Sequence, residues 1–492
     1  MNVWNDHGTS LMPLDCPWVG RLLLIVLMLL PASAQAEIVW ADIKDPNIKE
    51  ALFDSYQGHH FSAITRLLSA QKLNRVLDQE QAGLVLGGLY LAYGFHEEAS
   101  RIFEALLNTV ESRNVKDQAW FYLAKTRYQR GNLEEALSAI GKVTNDMSFS
   151  LRQERYILEA NILLQQQRYL DALRVLENVN QHSDWGPYAQ FNKGVAVYHL
   201  GREDEGIKLL DSLGSITARN SETQALKDKA NLVLGYGYLE KDNPDSARGF
   251  LERMKLSGPF ANNALLALGR AYSDKKLHQQ SLIPWLKLTD RHPSDPAVQD
   301  SMMAVPFALG QMEAFKQSLE YYEKAMLTFQ AEIEKINAAA EAVGGGKLLE
   351  DLIQFANLEQ EGVGDSQINK YIDTPEGHYL LPLLSRYEFR EALDNFAALQ
   401  LSLGKLEGWS ANLNTYNDLS ATKRKAYDER ITRIQSQALL VVEKFRHYLQ
   451  RMAFDELERR KTRLVSYFNE ARFSVAQIYD YAAKRWGESD GE

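Results

Sequence analysis

The stretch LGGLYLAYGFHEEASRIF, residues 86–103, decides the fold. Two small residues, Gly87 and Ala99, stand twelve positions apart, with Gly94 between them and Phe103 four residues after Ala99. Outward from there the same frame recurs. A small residue precedes a large apolar one by four at Ala63/Leu67, Ala99/Phe103, Ala136/Ile140, Ala172/Leu176, Gly206/Leu210, Ala247/Leu251, Ser281/Trp285 and Ser318/Tyr322. Steps between the small members run from 34 to 41 residues. Twelve positions before each stands Ala51, Gly87, Ala124, Ala160, Gly194, Gly235, Gly269 or Pro306, and only the last of these is not small. Four units add a turn glycine: Gly58, Gly94, Gly131 and Gly201.

Each unit reads as two helices around a tight turn. A small residue on each helix lets the two backbones approach, and the large residue one turn later fills the groove. One such hairpin cannot bury its apolar faces alone, so units must stack on their neighbours. Two departures carry expectations. The step of 41 implies extra residues, most simply a longer loop at SITARNSETQ, residues 215–224. Pro306 inside a first helix should kink or shorten it.

The pattern resembles the tetratricopeptide repeat family over roughly 285 residues. It is carried by LGGLY at 86–90 with Ala99 and Phe103, by LGRAY at 268–272 with Trp285 and Pro293, and by Trp120 with Leu123 and Ala124. Leu234, Gly235, Tyr238, Ala247 and Pro259 complete it. The resemblance implies an all-α, TPR-like solenoid of about eight units over 37–330, followed by a C-terminal long-helix domain over 331–492.

Beyond the repeats the texture changes. A helix through Tyr321 and Tyr322 should run to Val343 and stop at Gly344-Gly345-Gly346. Residues 361–378 form a second break. From 410 to 486 there is no Gly or Pro. Ile431, Ala438, Phe445 and Met452 recur every seven residues, joined by Ile434, Val441 and Tyr448; after a slip near Ala453, Leu457, Leu464, Ala471 and Ile478 recur with Phe468 and Val475. Such a stripe predicts long helices packed as a hairpin or coiled coil, with 380–406 as the partner stretch.

Composition narrows the function. The 55 Lys plus Arg against 65 Asp plus Glu give a net charge of −10, which argues against an electrostatic grip of the whole chain on nucleic acid or anionic lipid. One cysteine excludes a disulfide scaffold or a multi-thiolate metal cluster. The first 36 residues read as an address: Arg21 opens the apolar run LLLIVLMLL at 22–30, Pro31 breaks it, and Ala34-Gln35-Ala36 supplies a small-x-small cleavage site. A run of nine apolar residues is too short to span a bilayer as a helix. Cleavage after Ala36 would leave a chain without Cys, because Cys16 lies before the run, and would place it in the periplasm; translation could begin at Met1 or Met12.

The standard constellations of catalysis are missing. Gly344–Lys347 lacks the flanking residues of a phosphate loop, there is no HExxH, and His59-His60 sit at an inter-helix turn. No catalytic residue, metal ligand or cofactor is expected. The candidate site is instead the concave side of the superhelix, lined by first helices at Phe121, Lys125, Tyr128, Asn161, Phe191, Tyr198, His199, Tyr236 and Arg270. Aromatic area with a few donors suits an extended peptide or a partner's helix. Some family members bind C-terminal carboxylates through a Lys/Asn/Arg clamp, which Lys125 and Asn161 match only in part.

The resulting expectation is a non-catalytic periplasmic scaffold that binds protein partners in a cell-envelope complex. The family resemblance implies machines such as polysaccharide export, outer-membrane assembly or energy transduction. The alternative is a glycan-handling protein whose groove holds peptidoglycan or exopolysaccharide. No nucleic acid or small-molecule cofactor is expected, and the C-terminal helices could join copies of the chain.

Overall fold

The computed structural model describes residues 43–57, 59–346, 378–380, 383, 386–412 and 421–489. The export address with its cleavage site, and the break at 361–377, lie outside them. Every described element is a helix, and none is long and apolar enough to cross a membrane. The hairpins are α1 (Pro46–Tyr56) with α2 (His60–Lys72), α3 (Gln79–Ala92) with α4 (His96–Thr109), and α5 (Arg113–Gln129) with α6 (Leu133–Ile140). Next come α7 (Phe149–Gln165) with α8 (Tyr169–Leu176), α9 (Gly186–His199) with α10 (Glu203–Gly214), and α11 (Ser221–Glu240) with α12 (Pro244–Leu251). The series ends with α13 (Ala261–Asp274) and α14 (His278–Thr289), then α15 (Pro296–Gln311) and α16 (Phe315–Gly344). Two long helices follow, α17 (Tyr387–Asn412) and α18 (Ala421–Ser489).

Local chemistry starts the first helices. Asp45, Asp78, Ser112, Ser148, Asn220 and Asp295 each accept a backbone N–H of the first turn. Tight turns end them. Gly94, Gly131 and Gly201 take positive φ, where a side chain is strained. Both columns of small residues are buried, as are all eight large residues from Leu67 to Tyr322. A methyl on Gly235 would lie 2.6 Å from Leu251, and one on Gly194 would lie 2.8 Å from Leu210. The large residue of the second helix therefore occupies the space that the first helix leaves empty.

A third column fastens five of the units to the loop that follows. Glu80 accepts from the backbone N–H of Glu111 at 2.8 Å, and Gln153 accepts from that of Asn180 at 2.6 Å. Buried Asp117 accepts from the N–H of Thr144 at 2.8 Å and of Asp146 at 2.6 Å. Asp228 takes the N–H of Lys255, and Asn262 donates to Asp295. These residues all stand seven before the small residue of their first helix. Four of these residues supply, from one repeat back, the acceptor for a loop N–H that no helix satisfies, whereas Asn262 donates to a loop carboxylate.

Two expectations need correction. Pro306 does not shorten its helix: α15 continues to Gln311, and the Pro306 carbonyl accepts from the Ser318 hydroxyl of the next helix at 2.7 Å. The extra residues at 215–224 do not all lengthen a loop. Ser221–Gln224 are the first turn of α11, which runs for 20 residues against 17 in α5.

The described residues form two compact units, 43–147 with 333–462 and 148–332 with 463–489. The sequence reading put a boundary at 330, whereas each unit joins hairpins to part of the C-terminal helices. The reason is the apolar stripe of α18, which needs cover. In the first unit, Val442, Leu449, Met452 and Ala453 are buried, Gln450 donates to the Val343 carbonyl at 3.0 Å, and the Arg446 guanidinium lies 5.9 Å above the Phe396 ring of α17. The expected companions Ile434, Val441 and Tyr448 instead face outward, because the buried column runs one residue later, through Val442 and Leu449. Glu391 of α17 also pairs with His96 at 3.3 Å. In the second unit, Leu457 has given way to Leu464, Ala471 and Ile478, all buried. There Arg463 donates to Asp300 at 2.5 Å, Tyr467 also donates to Asp300, and the Tyr467 and Phe329 rings lie 5.8 Å apart. As expected, α16 stops at the triple glycine, where Gly346 takes φ +81°.

Candidate functional site

The structure separates the nine candidate residues. In the unit of 43–147, Phe121 is a fully buried core ring, 5.2 Å from Tyr122, and Lys125 and Tyr128 beside it are buried as well. Burial raises the Tyr128 phenol well above its ordinary range. In the unit of 148–332, Asn161 is buried and accepts from Asn192 at 2.7 Å, tying α7 to α9. Phe191 is buried with the Lys229 ammonium 5.5 Å from its ring. Desolvation lowers Lys229 to about 8. These five residues do internal packing work and offer little surface to a partner.

Tyr236 and Arg270 are half-buried. Desolvation raises the Tyr236 phenol, with the Asp300 charge adding to it, and Arg270 pairs with Asp274 at 3.6 Å. Their neighbourhood is already furnished by the chain itself, since Asp300 is engaged by Arg463 and Tyr467. The sequence reading missed Asp300 because its partners are more than 160 residues distant.

Tyr198 and His199 do come together, at a shallow apolar cleft open to solvent. It lies between α9, α10 and α11, with Val195, Ile207, Leu210, Val233 and Leu234 as apolar walls. His199 stacks on Tyr169 at 4.7 Å, and desolvation lowers its imidazole below the ordinary range. The Lys241 ammonium lies 5.3 Å from the Tyr198 ring and pairs with Glu203.

Three glycines explain the cleft. Gly194 and Gly206 bring α9 and α10 together, since a methyl on Gly206 would lie 2.8 Å from the Gly194 carbonyl. Gly237 leaves the room: no atom lies within 4 Å of where its β-carbon would be. Such a pocket can seat one apolar side chain, with Tyr198, His199 and Lys241 offering polar contacts at the rim. Gly237, Tyr238 and Lys241 were not legible as site residues. Their only signal was their spacing from Gly235, on the turn of helix that faces α9. Among the described residues, no three His, Cys, Asp or Glu side chains gather to hold a metal.

Residues 157–215 match the family model described as a tetratricopeptide repeat. Among solved structures, the chain is similar to the apo form of RapI at 12% identity, covering 70% of this chain and 98% of that one, with a TM-score of 0.43. It is similar to a tetratricopeptide repeat protein from Parabacteroides merdae at 15% identity, covering 52% and 96%, with a TM-score of 0.37. For MamA of AMB-1 the identity is 19%, the coverage 35% and 95%, and the TM-score 0.27. Identities this low concern fold alone. A comparison with curated protein sequences found no match. Residues 157–215 thus match a tetratricopeptide repeat, and the same hairpin frame recurs on either side of that match; repeats of this kind serve in general as scaffolds for protein–protein interaction.

Proposed function

We propose that this protein is a non-catalytic scaffold of the bacterial cell envelope, exported to the periplasm, and that it holds a protein partner on the first-helix face of the unit built around α9 and α11. The observation that carries the reading is the open apolar cleft at Tyr198 and His199. A partner side chain seated there would gain burial that the free protein lacks, at roughly 1.5–3 kcal/mol for a Leu- or Phe-sized group. The export part rests on Arg21, the run at 22–30 and Ala34-Gln35-Ala36.

Filling the cleft tests it. Gly237→Trp places a ring at the cleft from a position where no atom lies within 4 Å of the β-carbon, so the fold should keep its helicity and thermal midpoint. A photo-crosslinker at position 198 should capture a protein in cells, and Gly237→Trp should reduce that yield about tenfold or more. Undiminished capture by Gly237→Trp would remove this cleft as the site. The chain recovered from the same cells should begin at Glu37 by mass, and a chain retaining residues 22–30 would remove the export reading.

A further inference from the structure

The outward side of α18 over 427–454 is exposed and carries an ordered pattern of apolar and charged residues. Tyr427, Ile434, Val441 and Tyr448 recur every seven residues and are 48%, 40%, 39% and 36% exposed, so none is core. The next column around the helix is Arg430, Gln437, Lys444 and Arg451, all exposed. Beyond it stand Leu440, 68% exposed, and Phe454, 39% exposed. The side that packs inward adjoins this ladder, through Val442, Leu449 and Met452.

Charge on this face is predominantly positive. Arg430, Arg433, Lys444 and Arg451 give it four cations against one anion, Glu429, which stands one turn before Arg433; at 100° per residue Glu443 falls at the border beside Phe454, and Asp428 on the other side. Among the described residues, Arg430, Arg433 and Lys444 make no ion pair, and Arg451 lies 5.6 Å from the Tyr448 ring. A chain of net charge −10 thus carries, on one exposed helix face, an apolar ladder with a cationic ridge.

We infer that this face binds an amphipathic helix of another protein whose apolar stripe is flanked by carboxylates. The seven-residue spacing selects a helix over an extended segment, because knobs at that spacing meet a second helix packed nearly parallel. The ridge selects acidic flanks. A second copy of this chain is disfavoured, since either orientation would set cation column against cation column. An anionic membrane is disfavoured too: an interfacial helix needs an unbroken apolar face with cations at its borders, and here the cations run between two apolar columns. This inference is independent of the cleft at Tyr198.

Two synthetic helices of about four heptads, with Leu at alternating three- and four-residue spacing, test it: one flanked by Glu, the other by Lys. Fluorescence anisotropy with the full chain should show binding of the Glu peptide that weakens steeply with added salt. The triple change Arg430→Glu, Lys444→Glu and Arg451→Glu should weaken the Glu peptide about tenfold or more and strengthen the Lys peptide. Val441→Ser with Tyr448→Ser should weaken the Glu peptide while leaving circular dichroism unchanged, because both residues are exposed. Equal binding of the two peptides, or of wild type and triple variant, would overturn the inference. So would capture of the wild type by phosphatidylglycerol vesicles with no peptide binding, or a dimer in sedimentation that the triple change dissolves.

Discussion

At Gln167, Asp242, Lys276 and Glu313 the backbone turns with φ of 59°, 53°, 60° and 60°, in the position that Gly94, Gly131 and Gly201 hold in other units. The turn demands the left-handed region whatever residue occupies it, and a side chain there costs about 1–2 kcal/mol. Glycine also loses more entropy on folding, which returns part of that gain. Lys276→Gly and Glu313→Gly should therefore each stabilise the protein by about 0.5–1 kcal/mol, and Asp242→Gly by less, because Asp tolerates this region. Gly131 is the clean reverse case, since its β-carbon would touch nothing and no clash would add to the backbone strain. Gly131→Ala should cost about 0.5–1 kcal/mol, the strain less the entropy that alanine saves in the unfolded chain. Guanidinium midpoints for these variants check the sign, and unchanged midpoints for Gly131→Ala would contradict the strain argument.

Elements are held in step by side chains that reach the next loop. Asp117 receives Thr144 N–H, the Thr144 hydroxyl at 2.9 Å and Asp146 N–H, all from the stretch between α6 and α7. Asp117→Ala leaves those donors without an acceptor and should cost about 2–4 kcal/mol. Asp117→Asn should cost roughly half, because one oxygen survives while the new amide faces a donor. Amide exchange would localise the effect, with Thr144 and Asp146 losing protection before the centre of α5. A uniform loss across α5 and α6 would mean that the residue supports the hairpin itself and not the loop.

On the scale of the molecule, the long C-terminal helix belongs to the hairpins' cores. In the unit of 148–332, Asp300 is buried and holds both Arg463 and Tyr467, which is the polar centre of that attachment. Asp300→Ala would strand a largely buried guanidinium and should lower stability by about 3–5 kcal/mol. Asp300→Leu combined with Arg463→Met should recover most of that loss, since a packed apolar pair of similar volume replaces the ion pair. Thermal midpoints of the single and double variants form the cycle that checks it. Additive losses in the double variant would show that the two side chains are not coupled.

Residues 86–103 and their echoes determined the hairpin, its repeat length and both columns of close contact. Each of those features is local or lies within one unit: a glycine is needed where Leu251 or Phe103 sits, and that need is printed at fixed spacing. Helix α16 and its stop were legible for the same reason. The candidate site was legible only at Tyr198 and His199. A first-helix position faces a groove in every unit by spacing, but whether that groove is open depends on what fills it. At Lys125, Tyr128 and Asn161 packing within the units closes it, and near Tyr236 and Arg270 the carboxylate of Asp300 is engaged by residues more than 160 positions away. The stripe of α18 shows the same limit. Its seven-residue period was plain, yet which of two adjacent columns is buried is a rotation of about 100°, and only the surfaces packed against the helix could choose between Val441 and Val442. Periodicity is a property of the chain, whereas the facing of a long amphipathic helix is settled by the apolar surfaces available to cover it.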